Sequence, residues 1–220
     1  AEPRRIWADA ERLGQGTRWM LRSKITAGFV DEAIPFIQKA VKVKKPFYIN
    51  LWPDDVHSPF LPPADKWADG KRGLYHSVLQ EMDSQLGKLF DHIRSDSALR
   101  DNTLVLVCSD NGPVWYDTDV QRLGHDSVGD LRGMKADAWE GGHRMPFIVR
   151  WPGRIQAGSV SGQTICFTDM LATFAAVVDA ELPPDAGPDS FDILPVLLGK
   201  QPEAKAIRGP LVIPARRGMM

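Results

Sequence analysis

The stretch LYHSVLQEMDSQLGKLFDHIR, residues 74–94, is followed shortly by TLVLVC, residues 103–108. The first carries apolar side chains at Tyr75, Val78, Leu79, Met82, Leu86, Leu89, Phe90 and Ile93. That three-and-four spacing makes one stripe of an α-helix. The second is a continuous apolar run of strand length, of the kind buried on both faces. Asp101 and Asn102 supply the turn between them. A long one-sided helix feeding such a strand needs layers of helix on sheet to bury both.

The rest of the chain repeats the alternation. Phe29, Val30, Ala33, Ile34, Ile37, Ala40 and Val41 give helical spacing over residues 25–41, with Pro35 expected to kink or restart the helix. PFYINLW, from Pro46, reads as a buried strand. PDDVHSPFLPP follows as a loop, its prolines excluding regular structure. PFIVRWPG, from Pro146, is a short strand and turn. Thr168 or Asp169 can cap a helix running to Val178, and FDILPVLLG suits a short last helix ended by Gly199. The polar, Gly-rich segment 109–144 is of the kind that carries function. These elements predict an α/β fold, in which ligands gather at the carboxyl ends of strands. Loops leave strand ends after Trp52, Cys108 and Trp151, and the first two hold the polar residues.

Charge narrows the function. With 28 acids against 27 bases, nothing draws the chain to nucleic acid or an anionic membrane. No apolar run approaches the ~18 residues of a membrane span. No secretion signal pattern opens the sequence, which starts at Ala1. Cys108 and Cys166 follow no metal or redox spacing and are expected to be buried free thiols.

Asp110 and Asn111 end the strand with adjacent oxygen donors. Calcium and magnesium favour such ligands, but calcium takes about six to eight, so this pair is not a shell. On these residues alone, an Asx-turn that merely ends the strand is the simpler reading.

Four blocks in order change that balance: PFYINLWPDDVHSPF, YHSVLQEMDSQLGKLFDHIRSDSALRDNT, NTLVLVCSDNGP and LRGMKADAWEGGHRMPFIVRWPG. Together they resemble the sulfatase family of the alkaline-phosphatase-like superfamily. The nearest types are bacterial arylsulfatases and N-acetylgalactosamine-6-sulfatases. TDMLATFAAVVDAELP and DSFDILPVLLGK look like later helices of that family. The resemblance divides the chain into a lead-in at 1–24, a partial catalytic domain at 25–200 and a truncated tail at 201–220.

The resemblance implies part of a layered α/β sheet with helices on both faces. It implies hydrolysis of sulfate esters by a formylglycine nucleophile with Ca2+ or another divalent cation. Carried over residue by residue, Asp110 and Asn111 are metal ligands, and His57 and Lys135 are catalytic. His125, in the same long loop, is a candidate pocket residue. The implied substrates are sulfated carbohydrates or aryl sulfates, and the implied location is periplasmic or extracellular. The residue types suit the chemistry: a fixed ammonium stabilises charge growing on the leaving oxygen, and a histidine donates a proton near neutral pH.

Each residue also has a plainer reading. Without the family, His57 is a surface histidine among prolines and Lys135 a surface lysine. Asp54 and Asp55 read as acids supporting the site from behind or, the favoured reading, as solvated loop charges. Glu140, Gly141, Gly142 and Arg144 read as shaping the loop, His143 as structural, and His76 and His92 as helix-surface groups.

The departure from the family is large. Its nucleophile pattern is Cys or Ser, any residue, Pro or Ala, any residue, Arg. Cys108 is followed by Ser-Asp-Asn and Cys166 by Phe-Thr-Asp. The early Asp-Asp metal pair has no counterpart upstream of Ile25 either. The chain thus resembles the latter part of the catalytic domain, expected to be inactive alone. Two alternatives stand beside it. One is a non-catalytic relative that binds sulfated glycans or pairs with another chain. The other is a phosphate or phosphonate ester hydrolase of the superfamily, which the LRGMK and EGG blocks disfavour.

Overall fold

Thr26, Val30, Ala33, Ile37 and Ala40 recur at three- and four-residue intervals, and that face is the one the protein buries. They belong to α1, Ile25–Lys42. The computed structural model describes residues 18–114 and 124–213. It divides into two compact units, Ala1–Asp96 and Ser97–Met220.

In the first unit a 3-10 turn, Arg22–Lys24, leads into α1, and a second, Ala64–Lys66, precedes α2, Gly70–Ser95. The two helices pack together. Pro35 does not restart α1. It sits on the exposed face with Asp31, four residues back, also exposed, so the carbonyl that proline leaves unpaired is on the water side.

α2 departs from its expected stripe. Tyr75, Val78, Leu89 and Ile93 are buried, but Glu81 and Gln85 are buried between them, while Leu79, Met82, Leu86 and Phe90 are only half-buried. Hydrogen bonding makes this tolerable. The Glu81 carboxylate accepts from Lys66 Nζ at 2.5 Å and Gln85 Nε2 at 2.6 Å, and Gln85 Oε1 accepts from Lys88 Nζ at 2.7 Å. Residues 46–52 form no strand. They keep a strand's alternation, with Phe47, Ile49 and Leu51 half-buried and Tyr48, Asn50 and Trp52 exposed. No ladder partner is present among the described residues.

The second unit runs α3 (Ser97–Arg100), β1 (Val105–Cys108), α4 (Glu140–His143), β2 (Phe147–Arg150), a 3-10 turn (Phe167–Asp169), α5 (Met170–Val177) and α6 (Leu194–Leu197). β1 and β2 pair antiparallel, with Val105 opposite Arg150 and Cys108 opposite Phe147. β1 is less buried than its apolar run predicts. Val107 and the Ile148 opposite it are 38% and 62% exposed. A ladder of two strands leaves side chains uncovered wherever no second layer lies on it. Cys108 is accordingly exposed and Cys166 half-buried, both as free thiols.

The core of this unit is polar at its centre. Asp169, Thr173 and Ile193 are fully buried. Thr173 Oγ1 donates to Asp169 O at 2.6 Å and accepts from Ile193 N at 3.1 Å. Asp169 is the N-cap residue of α5, without a side-chain bond into that helix; Cys166 caps the 3-10 turn before it, and Asp169 Oδ2 accepts the Cys166 N–H at 2.7 Å. Gly199, at φ 66°, follows α6 in the left-handed conformation expected of a helix stop. Beyond it, Gln163 Nε2 donates to the carbonyls of Pro202, Glu203 and Lys205, so this stretch folds back on the unit. No described helix is long and apolar enough to cross a membrane.

Candidate functional site

β1 ends at Cys108, and the next turn carries Asp110, Asn111 and Gly112. Backbone contact fixes what lies beside it. Gly112 N donates to Gly142 O at 3.0 Å, and Lys135 N donates to Pro113 O at 2.8 Å. Gly141 N reaches Arg132 O at 2.8 Å, closing the 132–141 loop on itself. Glycine is required here for closeness. A Cβ on Gly112 would collide with Gly141 O, and one on Gly142 with Asp137 O. The loop-shaping role read for Gly141 and Gly142 is therefore the geometry seen.

Lys135 sits at the start of a tight turn. Asp137 N donates to Met134 O at 2.9 Å, and Asp137 Oδ2 accepts from Met134 N at 3.1 Å. Gly133, just before this turn, and Ala136, inside it, have φ of 83° and 77°. The Arg132 guanidinium lies 3.6 Å from the centre of the Trp139 ring, a cation–π contact that braces the loop. Lys135 is half-buried. The structure thus brings Asp110, Asn111 and Lys135 into one backbone-tied cluster. His125 is half-buried in the same unit, just before a turn where Asp126 Oδ1 accepts from Val128 N at 3.0 Å. His143 has Nε2 3.5 Å from Glu140 Oε1, and its Nδ1 is buried without a partner among the described residues.

Asp110 is exposed and Asn111 half-buried. Their oxygens suit a hard cation in kind. They do not suffice in number: no group of three or more His, Cys, Asp or Glu able to hold a metal occurs among the described residues. The described residues therefore do not by themselves fit a calcium site.

His57 belongs to the first unit and is exposed. Its N–H closes a turn on Asp54 O at 2.9 Å. Its Nδ1 lies 2.7 Å from Ser58 O. A carbonyl only accepts, so in the neutral ring Nδ1 carries the hydrogen and Nε2 keeps its lone pair. Asp54 is exposed, as expected of a solvated loop charge, whereas Asp55 is half-buried. Asp54 pairs with Arg22 at 2.5 Å, and half-buried Asp55 accepts from Thr26 Oγ1 at 2.5 Å. Burial pushes the Asp55 carboxyl above its ordinary pKa, with the Thr26 bond and the Arg22 charge opposing. Arg22 and Thr26 were not legible as site residues, since nothing local marks a partner some thirty residues away.

Known proteins share this arrangement of elements. The chain is 38% identical over 71% of its length to an N-acetylgalactosamine-6-O-sulfatase of Bacteroides thetaiotaomicron, covering 31% of that protein. It is 31% identical over 81% of its length to arylsulfatase G of Mus musculus, covering 35% of it. A solved structure from work on glycosaminoglycan metabolism by Bacteroides thetaiotaomicron superposes with a TM-score of 0.73 at 34% identity, over 83% of this chain and 38% of that one. The PsFucS1 sulfatase of Pseudoalteromonas sp. gives a TM-score of 0.74 at 25% identity, over 99% of this chain and 46% of that one. The chain spans about a third of the length of the curated relatives it matches. Its fold is accordingly part of an alkaline-phosphatase-like α/β domain. With the sulfatase family model matching residues 17–180, most of its length, the chain belongs to the sulfatase family.

Proposed function

We propose that the protein carrying this chain hydrolyses sulfate esters of sugars, N-acetylgalactosamine 6-sulfate being the class named by its bacterial relative. The observation that carries this reading is the backbone tie between Lys135 and Pro113, which fixes a cationic residue beside the Asp110–Asn111 turn. In the reaction the S–O bond to the sugar breaks and its electron pair goes to the sugar oxygen. Lys135 holds its ammonium against that growing charge, where a preorganised group is most effective. The family resemblance assigns the leaving oxygen's proton to His57, whose Nε2 can carry it.

Asp110 and Asn111 contribute two donors to a divalent-cation site whose other donors lie outside the described residues. The family's formylglycine pattern does not occur in these 220 residues. The attacking oxygen is therefore assigned to sequence beyond them, and the chain alone is expected to bind rather than turn over.

The test is steady-state kinetics on the natural polypeptide that carries this sequence, with a chromogenic aryl sulfate, N-acetylgalactosamine 6-sulfate and an aryl phosphate. Lys135→Ala should lower kcat by roughly 10²–10³ with KM little changed. Lys135→Arg should restore little, because a planar fork does not replace a compact ammonium. Exposed Lys39 on α1 serves as the control, as Lys39→Ala. Faster turnover of the phosphate than of either sulfate would overturn the reading, as would a normal kcat in Lys135→Ala.

A further inference from the structure

We infer that Arg22 and Thr26 are positioning residues for His57: from the 3-10 turn before α1 and from the first turn of α1, they clasp the turn that carries the imidazole. The inference rests on the reading of His57 as the proton donor. Its geometry lies wholly within the first unit.

The turn spans Asp54 to Ser58, and three of its residues are gripped through Arg22. Nη1 of Arg22 meets Asp54 Oδ2 at 2.5 Å. Nη2 meets His57 O at 2.7 Å and Ser58 O at 3.4 Å. A rigid guanidinium fork can hold a carboxylate and neighbouring carbonyls at once, which a single ammonium cannot. Thr26, 2% exposed, holds the fourth residue by donating to Asp55 Oδ2. The far end of the loop is anchored separately. Lys66 Nζ is bound to Glu81, and the Phe60 ring lies edge-on to Tyr75 with centroids 5.4 Å apart.

One acceptor links the clasp to the chemistry. Ser58 O receives both the weaker Arg22 contact and the short bond from His57 Nδ1. Arg22 therefore holds the carbonyl that decides which nitrogen of His57 keeps its hydrogen. If that carbonyl swings away, the neutral ring is free to place its hydrogen on Nε2 and to rotate. Arg22 touches neither substrate nor reacting atoms in this scheme. It acts through the orientation and tautomer of His57.

The experiment uses the 220-residue chain labelled with 15N-histidine. The ring nitrogens of His57 are assigned by their loss in His57→Gln, and backbone amide exchange is followed in parallel. In the parent chain His57 should show the Nδ1–H tautomer. In Arg22→Gln the Nε2–H form should appear, and His57 amide exchange should rise roughly tenfold or more, as for loss of a charge-assisted hydrogen bond. Arg22→Lys keeps a cation for Asp54, so it should melt near the parent temperature yet still lose the tautomer preference. Thr26→Val gives a second route, raising exchange over residues 55–57 with Arg22 intact.

An unchanged tautomer and unchanged amide protection in Arg22→Lys and Thr26→Val would overturn the clasp. In the natural polypeptide, Arg22→Lys should lower kcat while KM holds. A His57→Ala variant with normal kcat would sink the catalytic reading of His57, and the spectra would still decide the clasp on their own.

Discussion

One nitrogen of Arg208, Nη1, lies 2.8 Å from Oδ1 and 2.7 Å from Oδ2 of Asp169. The carboxylate is fully buried and the arginine side chain is 5% exposed. Asp169 also accepts backbone N–H groups from Cys166 and Phe191, and Arg208 lies 5.0 Å from the centre of the Phe191 ring. One ion pair thus ties together the lead-in to α5, the lead-in to α6 and the stretch beyond Gly199.

Removing either partner strands a buried charge. Asp169→Ala and Arg208→Ala should each cost about 3–5 kcal/mol. Together they should cost clearly less than the sum, because the second change removes the charge the first had orphaned. Urea unfolding of the two single variants and the double variant closes the cycle. Additive losses would show that the two groups do not act as a pair.

The first unit carries two carboxylates whose pH responses oppose each other. Burial alone would raise the Glu81 carboxyl, but bonds from Lys66 and Gln85 and the charges of Lys66 and Lys88 outweigh it, leaving its pKa below the ordinary 4.5. That contribution is complete above the ordinary carboxylate value and is lost as pH falls through the lower folded one. Asp55, raised from 3.8, has the reverse sign: its folded form favours the proton, so its contribution falls as pH rises through the raised value. Thermal melts between about pH 3 and pH 7 should show Glu81→Gln less stable at the neutral end and less sensitive to acid. Asp55→Asn, which keeps an acceptor for Thr26, should melt higher at neutral pH. A Glu81→Gln curve parallel to that of the parent would refute the first assignment.

Ala136, next to Lys135, holds φ at 77°, where a Cβ is crowded. Ala136→Gly should stabilise the chain by about 0.5–1 kcal/mol after glycine's own entropic cost. Ala136→Val should destabilise it. Paired melts decide the sign, and a glycine variant that melts lower would mean the turn draws more from the methyl than the backbone loses.

Two oxygen-bearing side chains make a poor calcium site. Titration calorimetry on this chain should find binding no tighter than roughly millimolar, as for an incomplete oxygen shell. A micromolar site abolished by Asp110→Ala would reveal further donors in the chain.

How much could be foreseen follows from what each contact leaves in the sequence. α1 and α2 were plain because a helix buries every third or fourth residue and marks them apolar. Glu81 and Gln85 broke that mark, since a polar side chain satisfied by Lys66 and Lys88 can be buried without an apolar signature. The apolar stretch at residues 46–52 records burial, not a partner, so it foretold a strand where no ladder forms among the described residues. Lys135 and the Asp110–Asn111 turn are singled out by family resemblance alone, and the loop-shaping reading of Gly141 and Gly142 matches their close backbone approach to Gly112 and the 132–137 loop. Arg22 and Arg208 left no local trace, because each bonds to residues more than thirty positions away. Arginines of that kind are found by coordinates alone.

Where Gly112 meets Gly141 and Gly142, two main chains touch with no side chain between them. Such a junction has no rotamer to adjust and nothing that a substitution could trim or extend. The spacing between the Asp110–Asn111 turn and the Glu140–His143 turn is therefore a fixed dimension of the molecule. A mutagenesis library would find glycine alone at Gly112, Gly141 and Gly142, and any retuning of the neighbouring site toward another ester would have to come through side chains around that seam, leaving the seam itself unchanged.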